Sequence, residues 1–438
     1  MALSKINAFE QIEKRGMSFK TGLILSGGGA RAAYQVGVLQ ALAEILPKNT
    51  RQPFPIITGT SAGALNALGL AGRPGTFRYR TQALSTIWSS LESAAIYRTS
   101  GFAVTRNALK IAWSMLGGQS NHITPLALLD NQPLRELLAE AIQFTHIERA
   151  VTGGELEAIG LTAMNYSNGH STTFYQGQAH IAPWSRARRH SVACKLGVEH
   201  LLASSALPTL FPATRIGQHY FGDGALRQSR PLSAAIHLGA DRLCIVGVSD
   251  QMNQPSLVDG HPLPPPTITQ VLGQMLNGVF LDSIDADLET LHRVNALLSD
   301  RSNRELSRPG IDGMRLIDSL IISPSQSLSE IAREYVNELP RATRRFLNVT
   351  RSIRDNGSGG ALSYILFEPG YCQHLLRLGY DDAMAQRERI SAFFDLGASP
   401  SDQQIQHWSA QHGPVVRKPL NPIQRRWYQL IGKSIRRL

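Results

Sequence analysis

Along the first seventy residues the apolar positions form two alternating kinds of run. Thr21-Gly22-Leu23-Ile24-Leu25-Ser26 is short, almost wholly apolar and followed by glycines, the pattern of a buried strand. From Arg31 to Leu46 the apolar residues Tyr34, Val38, Leu39, Leu42, Ile45 and Leu46 recur at helical spacing until Pro47 stops them. Pro55-Ile56-Ile57-Thr58 repeats the strand signal and leads into small helix formers from Ala62 to Ala71. Strand, glycine turn and helix, twice over, predict a parallel α/β sheet.

Further on, Tyr79 to Phe144 reads as mostly helical, with Pro133 opening a helix over Leu134–Ile142. Glu157–Tyr166 and Thr172–Tyr175 form a strand pair about Ser-Asn-Gly-His, and Val198–Ala206 is a helix. Arg242–Val248 and Leu316–Ser323 are strands, separated by the proline-rich loop Pro262–Pro266 and a helical pattern over Ile268–Leu298. From Ser327 the chain looks helical, broken at Asn356-Gly-Ser-Gly-Gly360. The expected fold is α/β, a central, mostly parallel sheet flanked by helices. The expected division is a catalytic domain over 19–325, with its motifs within 19–248, and a helical C-terminal extension over 326–438.

Composition leaves this picture in place: 438 residues, 42% hydrophobic and 18% charged, describe an ordinary globular protein. No window holds the roughly 20 apolar residues of a membrane span, and residues 1–20 lack the apolar centre of a secretory signal. Three widely spaced cysteines, Cys194, Cys244 and Cys372, make neither a disulfide framework nor a metal pattern, which suits a cytoplasmic protein. The net charge of +11 is uneven, because residues 415–438 carry seven Lys or Arg and no acid. A local basic patch is implied rather than a nucleic-acid binder.

Candidate chemistry begins at Gly59-Thr60-Ser61-Ala62-Gly63, a G-x-S-x-G pattern between a strand and a helix. A nucleophilic serine on such a turn needs glycines beside it, here Gly59 and Gly63, for backbone strain and close packing. The same five residues also suit a helix start capped by Ser61. Gly27-Gly28-Gly29-Ala30-Arg31, after the first strand, lets successive N–H groups face one small space that suits a phosphate or an oxyanion. As a dinucleotide loop it fails at Ala32 and lacks the later acidic residue; as a Walker loop it lacks Gly-Lys-Ser/Thr. No organic cofactor or metal follows from these patterns. A serine needs a base, and none of the 13 histidines has a setting that singles it out. Asp223, in Gly222-Asp223-Gly224-Ala225 after the apolar run Ala203–Ala213, is the alternative, although Asp between glycines also marks ordinary turns. An apolar setting raises a carboxylate's proton affinity, which suits a direct Ser–Asp pair.

The ordered triple of glycine loop, G-x-S-x-G and Asp-Gly-Ala resembles the patatin-like phospholipase family over roughly residues 19–248. The resemblance implies a lipid ester hydrolase in which Ser61 attacks the carbonyl, Asp223 takes its proton and the amides of Gly27, Gly28, Gly29 and Ala30 hold the oxyanion. An acyl-enzyme follows; Gly224 and Ala225 complete the base motif, and Arg31 supports the loop. Ala32, where the family often has glycine, is a minor departure. A Ser-His-Asp esterase, an acyltransferase and a non-catalytic membrane-docking protein are the competing expectations.

Two cationic stretches remain. Trp184-Ser-Arg-Ala-Arg-Arg189 has an aromatic tip and reads as a solvated face, with lipid phosphates at a pocket mouth as its other reading. In Pro422–Leu438 the residues Ile423, Trp427, Leu430, Ile431, Ile435 and Leu438 lie at helical spacing opposite arginines and lysines. That pattern fits a helix on an anionic membrane surface, so peripheral contact through 422–438 is expected; docking on the protein itself is the alternative.

Overall fold

The computed structural model describes residues 19–98, 127–208, 210–249, 278, 282–299, 314–340, 344 and 359–396. The expected helix at 422–438 and the proline-rich loop lie outside them, as does most of the 356–360 break, although Gly359 and Gly360 open a helix.

In chain order the elements are β1 (Thr21–Leu25), a 3-10 turn (Gly29–Ala32), α1 (Ala33–Ile45), β2 (Ile56–Thr60), α2 (Ala62–Ala71), α3 (Phe77–Ser89), α4 (Ser93–Ile96), α5 (Gln132–Ala141) and α6 (Phe144–Thr152). There follow β3 (Ala158–Asn165), β4 (Ser171–Gly177), β5 (Ser185–Arg186), β6 (Arg189–Ala193), α7 (Val198–Ser204), β7 (Thr214–Ile216), β8 (His219–Asp223), a second 3-10 turn (Gly224–Arg227) and α8 (Leu232–His237). Next come β9 (Arg242–Val246), α9 (Asp282–Ser299), β10 (Asp318–Ile322), α10 (Leu328–Glu334), α11 (Gly359–Ile365), α12 (Pro369–Ala385) and α13 (Arg387–Phe393).

The sheet runs β10-β9-β1-β2-β3-β4-β6-β5, and its first five strands are parallel. This is the mostly parallel, helix-flanked sheet that the sequence pattern predicts. β1, β2 and β9 are buried throughout because helices cover both faces, which explains why they read as continuous apolar runs. On one face Ile24, Ile56, Leu243 and Ile245 pack with Leu232 and Ala235 of α8 and with Ile284, Leu288 and Leu291 of α9. On the other, α2 crosses β2 and β3.

The compact unit that holds the sheet runs to Ala385 and so includes α10, α11 and α12; a second unit, Gln386–Leu438, holds α13. α12 lies against α1, and two glycines set how close they come. A Cβ on Gly37 would lie 2.0 Å from the Leu376 carbonyl oxygen, and one on Gly379 would lie 2.1 Å from that of Tyr34. Neither backbone can yield without parting the helices. Gly379→Ala is therefore expected to lower stability by about 1–3 kcal/mol, read as a lower urea midpoint at unchanged slope; an unchanged midpoint refutes the close crossing.

Periodicity missed β5, β6 and β7. β5 and β7 span two and three residues, too brief to show a period, and β6, as long as β1, is polar and mostly uncovered, with one buried residue and no apolar run.

Candidate active site

Sheet register brings the two motif residues together. Along one side of β3, β2 pairs as far as Thr60 opposite Thr162, and there the chain turns off into α2. The vacated edge is taken by β8, running the other way, with Asp223 opposite Ala163. Ser61 leaves the sheet at the point where Asp223 enters it. The Ser61 hydroxyl donates to Asp223 Oδ2 at 2.6 Å, across 162 residues of sequence.

Ser61 sits on a strained turn, with φ 54° and ψ −129°, a region that L-residues rarely occupy and that costs about 1–3 kcal/mol. Several neighbours hold it there. Its N–H donates to Ser204 Oγ at 3.0 Å, and that hydroxyl donates to the Thr162 carbonyl at 2.7 Å. Gly63 lets the turn press on the end of β1, since a Cβ there would lie 2.2 Å from the Leu25 carbonyl oxygen. At Gly59 a Cβ would lie 2.5 Å from the carbonyl oxygen of Gly63.

Asp223 is fully buried. Its Oδ1 accepts the Ala225 N–H at 2.9 Å, and its own N–H donates to the Ala206 carbonyl at 2.9 Å. Gly224 is required because a Cβ there would lie 2.1 Å from the Thr162 carbonyl oxygen. Burial pushes the Asp223 carboxyl up from 3.8 to about 7, against the opposing pull of its bonds from Ser61 and Ala225. The carboxyl is thus poised between acid and base near neutral pH.

The glycine loop lies next to this pair. Among the described residues, the backbone N–H groups of Gly27 and Gly28 meet no acceptor. Gly29 has φ 54°, and a Cβ on it would lie 2.0 Å from the Tyr364 carbonyl oxygen, so only glycine fits. Ala30 is fully buried in the following turn. Arg31 is fully buried too and reaches away from the pair. Its Nε donates to Ser363 Oγ at 2.8 Å, Nη2 to Ser329 Oγ at 2.8 Å and Nη1 to the Val248 carbonyl at 3.2 Å, with its guanidinium 4.3 Å over the Tyr364 ring. The loop is anchored to α10 and α11, well past the motifs. A crevice at the ends of β1 and β2 is lined by Ser26, Gly27, Gly59, Thr60, Ala225 and Gln228.

Residues 23–236 match the family model described as patatin-like phospholipase, which spans all three motifs. This segment of the chain matches a patatin-like phospholipase domain. A curated cGAMP-activated phospholipase from Pseudomonas aeruginosa is 29% identical over 216 residues, 49% of this chain and 55% of that protein. The chain thus spans about half the length of the relative it matches. The crystal structure of VipD from Legionella pneumophila is similar at 15% identity and a TM-score of 0.35, over 85% of this chain and 67% of that one.

Within the patatin-like segment, sequence reasoning missed the supporting polar groups. Besides Ser204, Thr60 Oγ1 donates to Gln228 Oε1 at 2.6 Å, and Gln228 Nε2 donates to Thr162 Oγ1 at 3.3 Å. Behind the loop, Gln35 Nε2 donates to the Ser26 carbonyl, Asn66 Nδ2 donates to Gln35 Oε1 and to the Ala32 carbonyl, and Trp88 Nε1 donates to Asn66 Oδ1. Polar residues amid apolar helical stretches, Gln35 and Asn66 above all, were the available signal. Trp184 is no exposed tip: it stacks between Tyr175 at 5.5 Å and His237 at 5.1 Å, which corrects that part of the sequence reading. Several of the described histidines have other partners. His170 faces His190, His200 accepts from Gly197, His219 meets Ser167 and His374 meets Tyr335.

Proposed function

We propose that the protein hydrolyses carboxylic esters of lipids, with Ser61 as nucleophile and Asp223 as its base. The observation that carries this reading is the 2.6 Å bond from the Ser61 hydroxyl to a carboxylate that burial raises to about 7. A carboxylate in its ordinary range would be too weak a base; one poised near neutrality accepts a proton as the hydroxyl attacks. Asp223 Oδ2 takes the proton from Ser61 Oγ while Oγ bonds to the ester carbonyl carbon. The carbonyl oxygen becomes an oxyanion beside the glycine loop, where the unpaired N–H groups of Gly27 and Gly28 offer donors and Gly29 and Ala30 complete the curve. Collapse of the tetrahedral species expels the alcohol, which takes the proton from Asp223 and leaves an acyl-serine. Water activated by the same carboxylate then releases the acid. Arg31 supports the loop from behind, and the match of residues 23–236 to the patatin-like phospholipase model supports a lipid substrate.

A fluorophosphonate probe tests the nucleophile. Wild type is expected to be labelled and Ser61→Ala to lose the label, with release of fatty acid from phospholipid, lysophospholipid or glyceride lost in parallel. Labelling that persists in Ser61→Ala removes Ser61 from the chemistry.

A further inference from the structure

The catalytic edge of the sheet is bordered by a belt of exposed arginines on three connections, with a fourth, carrying Tyr166, in their midst. β4 runs antiparallel to β3, so the turn Tyr166–His170 lies at the end of β3 where Asp223 is. β6 runs parallel to β4 with Arg189 opposite Ser171, which puts the β5–β6 turn, with Arg186 and Arg188, at that same edge. β8 pairs with β3 only through Phe221–Asp223, so the β7–β8 turn, with Arg215 and His219, projects beyond the end of β3. The turn after Asp223 supplies Arg227 and Arg230, on either side of the crevice-lining Gln228. Hydrogen bonds join the four pieces. Ser171 N–H donates to the Arg188 carbonyl, Tyr166 N–H to the Tyr220 carbonyl and Arg227 Nε to the Gly169 carbonyl, and His219 meets Ser167.

The belt has almost no acid to balance it. Residues 158–240 contain seven Lys or Arg and two acids, Glu199 and Asp223. Asp223 is buried at the base position, and Glu199 is paired with Arg135. Arg230 is the partly neutralised member, through Asp287. Arg186, Arg188, Arg215 and Arg227 are exposed, and so is the Tyr166 ring, 42% accessible in their midst.

We propose that this arginine belt seats the crevice on an anionic lipid surface. The proposal rests on the lipid-hydrolase reading above. Charge complementarity supports it: clustered arginines attract phosphate-bearing surfaces and bond phosphates in pairs. Tyr166 adds a ring with an apolar body and a polar end, suited to the level of the headgroups. The location supports it as well, because contact through this edge faces the Gln228 side of the crevice toward the bilayer. A helix beyond residue 396 is not needed for this contact.

The test uses the full chain and vesicles of phosphatidylcholine with and without about one third phosphatidylglycerol. Wild type and Ser61→Ala are expected to sediment with the anionic vesicles alone and to be released by high salt. Arg186→Gln/Arg188→Gln/Arg215→Gln is expected to lose about tenfold or more in partitioning, and the corresponding triple Lys variant to retain it. Lys48→Gln/Arg51→Gln/Arg149→Gln, which removes the same charge near the starts of β2 and β3, is expected to stay within about twofold of wild type. Equal losses in the two Gln triples would mean that net charge alone is felt, and would overturn the proposal. Undiminished binding by the belt variant, or binding to an oligonucleotide but to no vesicle, would overturn it too. Hydrolysis is scored separately on a soluble short-chain ester, which wild type and belt variant should turn over equally. Vesicle binding that depends on the belt, with no ester turnover by wild type, would sink the hydrolase reading and leave the surface standing.

Discussion

Asp223→Asn is expected to lower turnover of a lipid ester by roughly a thousandfold while the fold survives. The amide has the shape of the carboxylate it replaces. Its oxygen takes the Ala225 N–H that Oδ1 now accepts, and its NH2 group faces Ser61 in place of Oδ2. What it lacks is any capacity to accept a proton at neutral pH, so the serine hydroxyl stays protonated through the attack. Ser61→Ala should lose as much, and the double variant little more, because two groups acting in one step do not contribute independently. The check is kcat/KM for fatty-acid release, with urea unfolding run alongside. Activity of Asp223→Asn within tenfold of wild type would mean that another group takes the proton, the requirement of a Ser-His-Asp esterase.

Turnover is expected to climb through about pH 7 and to level off above it, while stability moves the opposite way. The carboxyl rises from 3.8 to about 7 because burial disfavours its charged form. Between those values the folded protein holds a proton that the unfolded chain has released. Stability conferred by the protonated form is therefore full below about pH 4 and declines as pH rises toward 7, by up to roughly 4 kcal/mol at about 1.4 kcal/mol per unit. Asp223→Asn has no charge to bury and should lack that decline. Urea unfolding of both proteins at pH 5 and pH 8 measures the difference. If wild type loses no more stability than Asp223→Asn over that interval, Asp223 is not a strained base. A protein that carries its base in this way gives up stability at the pH where it works.

The belt gives the same edge a second property. On the proposed chemistry, a Ser61–Asp223 pair that is almost wholly buried, with Ser61 2% exposed, meets lipid only if the surrounding surface is brought against it. Arginines on three separate connections do this without altering the Ser61–Asp223 pair, because none of them bonds to Ser61 or Asp223.

The amino-acid sequence by itself determined the identity of the elements with long, clean patterns. β1, α1, β2 and α2 follow from apolar runs, helical spacing and glycine punctuation, and these signals are local to the chain. It also marked Ser61, Asp223 and the glycines, because a strained turn and a close backbone approach restrict which residues fit. It did not disclose Ser204, Gln228, Asn66 or the grip of Ser329 and Ser363 on Arg31, since each works through a partner between 22 and 332 residues away. Only the tertiary structure decided that β8 takes up the edge of β3 where β2 leaves it. That register depends on non-local pairing and on which faces are buried, and no window of sequence records either.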